Sequence, residues 1–429
     1  MEKLTVTLKT VTPLFLGGAD PKCPAELRAS SIKGALRFWY RAIDPEYIKN
    51  EPKIFGSTEH GQGCFGIKII STTPNSDKWN RTEYGKLDVK ENINGKEVVR
   101  NGINYLGFPL DMKREGNKII RNFIPFGKEI KLYFPLKPNI KDEEKDKIKK
   151  ALLSSIWLLG HIGGLGSRSR RGFGTVALHE WNWNGASITE LNIINKISNT
   201  PEKWLENFKK ELEKIIRWYP GINKSNHTVI NHNTKFYLFK KGEKVQREND
   251  KTYKPWEMAL FKAGMKMQEF RQRMKLGDKN SDYHRVKAHL AKKYPDATYD
   301  EKKELLPRQV LDFSPKRVSF GLPLTFRYNS VKRKIKNNKG EEIEKPVSTT
   351  FIGADADHER SASPIHIRIV EINNLCYPLY IKFDAPIIKN IKEEKDSIKY
   401  TLSDSNILDK FCNEKLEPCS IRMELKNEQ

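Results

Sequence analysis

The sequence predicts an α+β fold made of two units, and three observations carry that expectation. The chain has 429 residues, too many for one small core. Its first part reads strand, helix, strand, strand, helix, strand, the β-α-β-β-α-β order of ferredoxin-like folds. From residue 234 a second α+β set begins. It does not repeat the first in sequence but shares its plan of helix, basic loop and glycine-containing strand.

Residues 4–15 alternate apolar and polar side chains, the period of a strand. Residues 30–43 put Ile32, Leu36, Trp39 and Ile43 on one helical face. Residues 65–71 and 130–136 read as further strands. Residues 143–161 form a helix with the stripe Ile148, Leu152, Ser155, Leu159 and Ile162, and residues 173–183 close the unit as a strand. Between the middle strands lies a polar insertion, 72–126, with turn signals at Asn94-Gly95, Asn101-Gly102 and Glu115-Gly116-Asn117. A compact fold seldom spends that many residues on an idle loop, so an arm that reaches a partner is expected. Residues 184–233 form a connector holding a helix at 201–219. In the second unit, 234–429, a strand at 234–240 precedes a main helix at 256–276. That helix has Leu260, Ala263, Met267, Phe270 and Met274 on its core side and Lys262, Lys266 and Arg273 on another face. Strands follow at 317–328, 364–372 and 376–383. The polar segment 277–307 and the Lys/Asn/Glu-rich hairpin 329–345 interrupt them.

Charge sets the class of partner. Lysines and arginines number 78 against 54 acidic residues, a formal net charge of +24, which favours a polyanion and nucleic acid above all. No apolar run is long enough to span a membrane, and residues 1–10 lack a signal-peptide core. Five scattered cysteines form no C-x-x-C pair, so neither a zinc ribbon nor a disulfide scaffold is expected, and the cytoplasm is the expected compartment. No cofactor or small-molecule substrate is indicated. Asp355, Asp357 and His358 read as an acidic turn tip rather than a metal site. His284 and His289 miss the helical ligand spacing, and with Arg285 and Lys287 they suggest a basic surface.

Three segments carry the candidate chemistry. Residues 160–174, GHIGGLGSRSRRGFG, pack Gly163, Gly164, Gly166 and Ser167 around Arg168, Arg170 and Arg171. Glycines permit close backbone approach, and arginines offer a planar fork for phosphate oxygens. The loop follows a helix, so the helix dipole opposes anion binding and the arginines and backbone N–H groups must supply it. A valine at Gly166 is therefore expected to block a bound strand while leaving the fold intact. In residues 26–42, Arg28 precedes a helix on which Lys33, Arg37 and Arg41 recur every four residues as a basic ridge. Trp39 and Tyr40 beside it are candidates for base stacking, with a core role for Trp39 the favoured alternative. In the second half, Arg360, Ser361 and Ser363 lead into a strand, echoing the first loop. No serine-hydrolase or H-E-x-x-H signature appears. A ribonuclease using a lone carboxylate, Asp20 or Asp44, remains the alternative.

Residues 17–42 and 163–176 resemble the RAMP superfamily of CRISPR proteins. More narrowly, they resemble the family of the subunit numbered one in type III-B (Cmr) effector complexes. Residues 320–328, FGLPLTFRY, and 359–369, ERSASPIHIRI, resemble the same family. The resemblance implies two tandem ferredoxin-like (RRM-like) RAMP domains with long insertions. It implies a non-catalytic subunit that binds CRISPR guide RNA near its 3′ part, contacts the guide–target RNA duplex and packs beside other RAMP subunits. On it, Lys33, Arg37 and Arg41 match the helix signature, Gly163, Gly164, Gly166, Ser167, Arg168, Arg170 and Arg171 match the loop, and Arg360 and Ser363 match the second-half motif. RAMP endoribonucleases that process CRISPR repeat RNA share the fold and stand as the alternative reading.

Overall fold

The structure is a computed structural model. It describes every residue except 1, 19–22, 71–75, 94–95, 109, 115–116, 222–227, 249–250, 277–281, 295–297, 300–314, 337–339, 356–357, 395, 397, 403–405 and 426–429.

The first sheet is built from β1 (Lys3–Thr10), β2 (Lys68–Ile69), β3 (Glu129–Pro135) and β4 (Val176–Trp183). Its order is β4-β1-β3-β2, with antiparallel neighbours throughout and a short edge strand, Ala186–Ser187, beyond β4. Two helices cover it. In α1 (Ala29–Ile43) the stripe Ile32, Leu36, Trp39 and Ile43 is buried. In α4 (Asp142–His161) three acidic residues occupy the first turn, where the helix dipole favours them. A short α2 (Tyr47–Phe55) follows α1. The insertion is a folded body of hairpins and short helices. Within it α3 (Gly102–Leu106) packs on a helix of the second half, so the expected arm is tucked onto the same chain.

Beyond α5 (Pro201–Arg217), capped by the Thr200 hydroxyl and opened by Pro201, the chain enters its second sheet. There β5 (Lys235–Phe239) leads to the long α6 (Pro255–Leu276) and α7 (Asp282–Lys293). A long hairpin, β6 (Leu324–Lys336) and β7 (Glu342–Gly353), covers α7 with its own apolar cluster of Val286, Leu290, Phe326 and Phe351. The segment expected as a strand from residue 317 begins instead as a short 3-10 helix, Lys316–Phe320. Then β8 (Ile365–Ile372), β9 (Leu375–Lys382) and β10 (Ser420–Glu424) complete a sheet of order β8-β9-β5-β10, again antiparallel throughout.

The two sheets share their cores. One apolar cluster joins α1, α4 and α5 to Phe236, Val370, Ile372 and Leu379 of the second sheet. The other joins Phe15, Trp79 and Phe173 to α6, Ile365, Ile367 and Ile369. Strand β8 is therefore covered on both faces and buried along nearly its whole length, although its sequence, IHIRIVEI, alternates isoleucines with His366 and Arg368. Arg368 is buried within it. Its guanidinium donates to the carbonyls of Gly163, of Gly160 (2.6 Å), of Val176 (2.8 Å) and of Leu159 (3.4 Å). A cation from the second sheet thus satisfies the C-terminal carbonyls of α4, the negative end of that helix. Among the described residues no helix is long and apolar enough to cross a membrane.

Candidate nucleic-acid interface

The glycine loop runs from the end of α4 to the start of β4, and its shape is set by packing on both sides. Gly166 has φ +75°, and a side chain there would meet the carbonyl of Phe15. Gly172 has φ +84°, and a side chain there would strike Leu260 of α6 and Ile367 of β8. These glycines serve the fold, because only glycine takes this backbone conformation cheaply and nothing larger fits. The expectation that valine at Gly166 leaves the fold intact is overturned by that contact. Arg170 and Arg171 stitch the loop to the second sheet: the Ile367 N–H donates to the Arg170 carbonyl at 3.0 Å, and Arg171 pairs with Ile367 as an isolated bridge. His161, buried at the loop's start, donates from Nδ1 to the Trp157 carbonyl (2.7 Å) and accepts at Nε2 from the Ile194 N–H (3.1 Å). Burial, with repulsion from Arg368, holds its pKa down at about 3 despite the Trp157 carbonyl, so the ring is neutral.

The loop's arginines diverge. Arg170 turns toward α1, with its guanidinium over the Phe38 ring at 5.5 Å. Here α1 and the loop enclose a groove of about 210 Å³, lined by Ser31, Ala35 and Phe38 on one wall and Gly163, Gly164, Gly166, Ser169 and Arg170 on the other. The two motifs singled out in the sequence thus meet. Buried His366 also lines the groove, and its Nε2 has no hydrogen-bond partner. Burial first, then Arg170 and Arg171, push its pKa well below the usual histidine value. Arg28 is exposed at the start of α1 and donates to the Gly17 carbonyl at 2.9 Å.

The ridge on α1 does not face outward as a unit. Arg41 grips Glu51 of α2 through two hydrogen bonds, and Arg37 lies 3.4 Å from the same carboxylate while donating to the Gly56 carbonyl. Glu51 is buried, so both cations hold α2 against α1, and Lys33 alone of the three lacks that tie. Trp39 and Tyr40 are buried, Trp39 beside Gly163 and Tyr40 donating to Asp44. Both Phe38, half-buried, and the buried Trp39 line the groove.

Arg168 and Arg171 turn the other way, into a cavity of about 670 Å³ between the insertion, α6 and β6. Six arginines line it: Arg81, Arg168, Arg171, Arg271, Arg317 and Arg327. Arg168 donates to the Phe108 carbonyl, and Arg171 lies against the Met267 sulfur. Arg271 donates to the Tyr105 hydroxyl at 2.9 Å, and Arg317 stacks over Phe326 at 5.2 Å. Sequence reasoning found two of these six. Arg327 lies within the segment 320–328 that carries the family resemblance, and Arg81, Arg271 and Arg317 lie on segments far apart in the chain that no local pattern marks.

Of the remaining candidates, Lys262 is exposed and Lys266 half-buried on α6, while the side chain of Arg273 lies outside the described residues. Arg360 is exposed, and Ser363 accepts from the Ile365 N–H at 3.2 Å. None of these four described residues lines the groove or the cavity. Lys287, expected on a basic surface, is buried, and His289 pairs with Glu393 at 2.6 Å. Asp44 is buried and accepts from Tyr40 (2.5 Å), Asn50 (3.0 Å) and the Glu46 N–H (2.8 Å). Asp20 and Asp357 lie outside the described residues. Among the described residues no group of three His, Cys, Asp or Glu side chains is placed to hold a metal ion.

Residues 7–177 match the family model of the RAMP superfamily. Over 182 residues, 39% of this chain and 91% of the relative, the sequence is 29% identical to CRISPR system Cmr subunit Cmr1-2 of Pyrococcus furiosus. It is 24% identical over 199 residues to subunit Cmr1-1 of the same organism, covering 44% of this chain and 50% of that one. In fold it is similar to the crystal structure of Cmr1 from Pyrococcus furiosus in its apo form. That likeness has a TM-score of 0.52, covers 99% of this chain and 98% of the other, and carries 16% identity.

Proposed function

We propose, from the premise that residues 7–177 belong to the RAMP superfamily, that the chain is a guide-RNA-binding subunit of a type III-B CRISPR (Cmr) effector complex. The sequence similarity to two Cmr subunits supports this reading. The likeness in fold to Cmr1, with the matching strand orders of the two sheets, supports two tandem ferredoxin-like RAMP domains. In that division, residues 1–183 and 234–429 are the domains and 184–233 the connector. The subunit is non-catalytic, sits near the 3′ part of the guide, contacts the guide–target duplex and packs beside other RAMP subunits.

The observation that carries the reading is the meeting of α1 and the glycine loop around one open groove. The groove offers a cation stacked on an aromatic ring, small residues on its opposite wall and little that reads a base edge. That suits a strand whose sequence varies from guide to guide, gripped by phosphate and ribose. Photocrosslinking of the assembled complex tests it. Guide nucleotides are expected to attach to peptides spanning 28–41 and 160–174, and incubation with repeat RNA is expected to yield no cleavage. Crosslinks confined to other subunits would defeat the proposal, as would cleavage abolished by a single Asp substitution.

A further inference from the structure

One polar group on the groove between α1 and the glycine loop is left without a partner. His366 of β8 lines the groove beside Phe38 and Arg170. Its ring stacks with Phe38 at 6.2 Å and meets Phe383 edge-on at 4.6 Å, so two aromatic contacts fix the plane of the imidazole. The residue is 5% exposed, yet its Nε2 has no hydrogen-bond partner among the described residues. A buried polar atom in that state is rare and costly. The contrast is His161, whose two ring nitrogens both find backbone partners inside the fold.

The missing partner is constrained in three ways. It comes through the groove, the open space that the ring lines. It is slender there, because Gly163, Gly164 and Gly166 form the facing wall and the groove holds about 210 Å³. That is short of the roughly 300–1,000 Å³ that encloses a whole small-molecule ligand. It is also uncharged at the point of contact. Burial first, then Arg170 and Arg171, push the His366 pKa well below the usual value and keep the ring neutral. The charge for a phosphate comes instead from Arg170, whose guanidinium lies over Phe38 at 5.5 Å. A ribose 2′-hydroxyl meets all three demands. It both donates and accepts, so it satisfies Nε2 in either tautomer of the neutral ring. Deoxyribose offers nothing at that position.

We propose that His366 is the residue by which the groove distinguishes RNA from DNA, its Nε2 hydrogen-bonded to a ribose 2′-hydroxyl while Arg170 holds the adjoining phosphate. This assignment rests on the groove being the guide's site and names the sugar as the group recognised there. A sugar contact is the same in every guide, so it adds selectivity without reading sequence.

The test uses the full chain and three short single strands of one sequence, made as RNA, 2′-fluoro RNA and DNA, with affinity read by anisotropy. The 2′-fluoro strand keeps the sugar pucker of RNA and lacks the hydroxyl, which separates the hydrogen bond from strand shape. The parent is expected to bind RNA about threefold or more tighter than 2′-fluoro RNA, the worth of one hydrogen bond. H366F keeps an aromatic ring without the nitrogens and is expected to bring that ratio close to one. H366Q, whose amide reaches the place of Nε2, is expected to restore it in part. Should H366F fail to fold, H366N decides, its shorter amide stopping short of Nε2 and losing the preference. R170A is expected to weaken all three strands together and to keep the parent's ratio. A parent that binds RNA and 2′-fluoro RNA equally, or an H366F that retains the preference, overturns the assignment to His366 while R170A still marks the groove as the strand's site. Binding that R170A does not weaken, or no binding of any strand, defeats the reading of the groove itself, and the role of His366 falls with it.

Discussion

The α1 side of the glycine loop and its α6 side spend arginine in opposite ways. Toward α1, the ridge cations Arg37 and Arg41 share the carboxylate of Glu51, and Arg170 is left over Phe38 beside a neutral histidine. Toward α6, six guanidinium groups gather with Asp88 as the one carboxylate on the cavity wall among the described residues, and that carboxylate is hydrogen-bonded by Asn101 at 2.8 Å. Three successive basic positions, Arg168, Arg170 and Arg171, therefore feed two different sites. Counting charge along a loop locates it; the direction each side chain takes is decided by what the two sheets place around it.

Both sites depend on the loop being pinned between the sheets, so the largest effect is expected from removing the pin. R368M leaves the carbonyls of Gly160, Gly163 and Val176 buried without their donor and is expected to cost about 3–5 kcal/mol. A lowered urea midpoint at unchanged slope is the readout, and a loss below about 1 kcal/mol would show that water replaces the guanidinium. Next in size, G166V is expected to destabilise by about 2–4 kcal/mol through positive φ and the Phe15 contact. G34A, with open space around it on α1, is expected to stabilise by about 0.5–1 kcal/mol. Equal behaviour of the two would erase the distinction between folding glycines and accommodating ones.

A smaller effect depends on pH. The folded pKa of His161 lies at about 3, below its unfolded value of about 6.5, so the unfolded chain takes up the proton first and stability falls as pH drops below about 6.5. Between pH 6.5 and pH 5 that amounts to about 2 kcal/mol, and buried His366 acts in the same direction. H161N is expected to flatten the urea midpoint against pH in that window.

The order β-α-β-β-α-β was legible because alternation and helical stripes such as Ile32, Leu36, Trp39 and Ile43 are local patterns. The loop was legible because its glycines and arginines are contiguous. The insertion's docking was not, since α3 and α6 touch at Gly102 and Gly264, two glycines far apart in sequence that permit close helix contact. The cavity was hidden for the same reason, its arginines coming from five segments of the chain. Arg368 and His366 alternate with isoleucines, a pattern that normally puts polar side chains in water. Here the first sheet's helices cover that face, and only the apolar Val370 and Ile372 at its next two positions hinted at it.

The most direct measurement of the central claim is anisotropy of a labelled single-stranded guide-like RNA across 50–200 mM salt, with the parent chain and R170A. A steep fall in affinity with salt is expected for the parent, equivalent to about four to six phosphates, with a slope smaller by roughly one contact for R170A. An affinity flat across that salt range, or R170A indistinguishable from the parent, would contradict the claim.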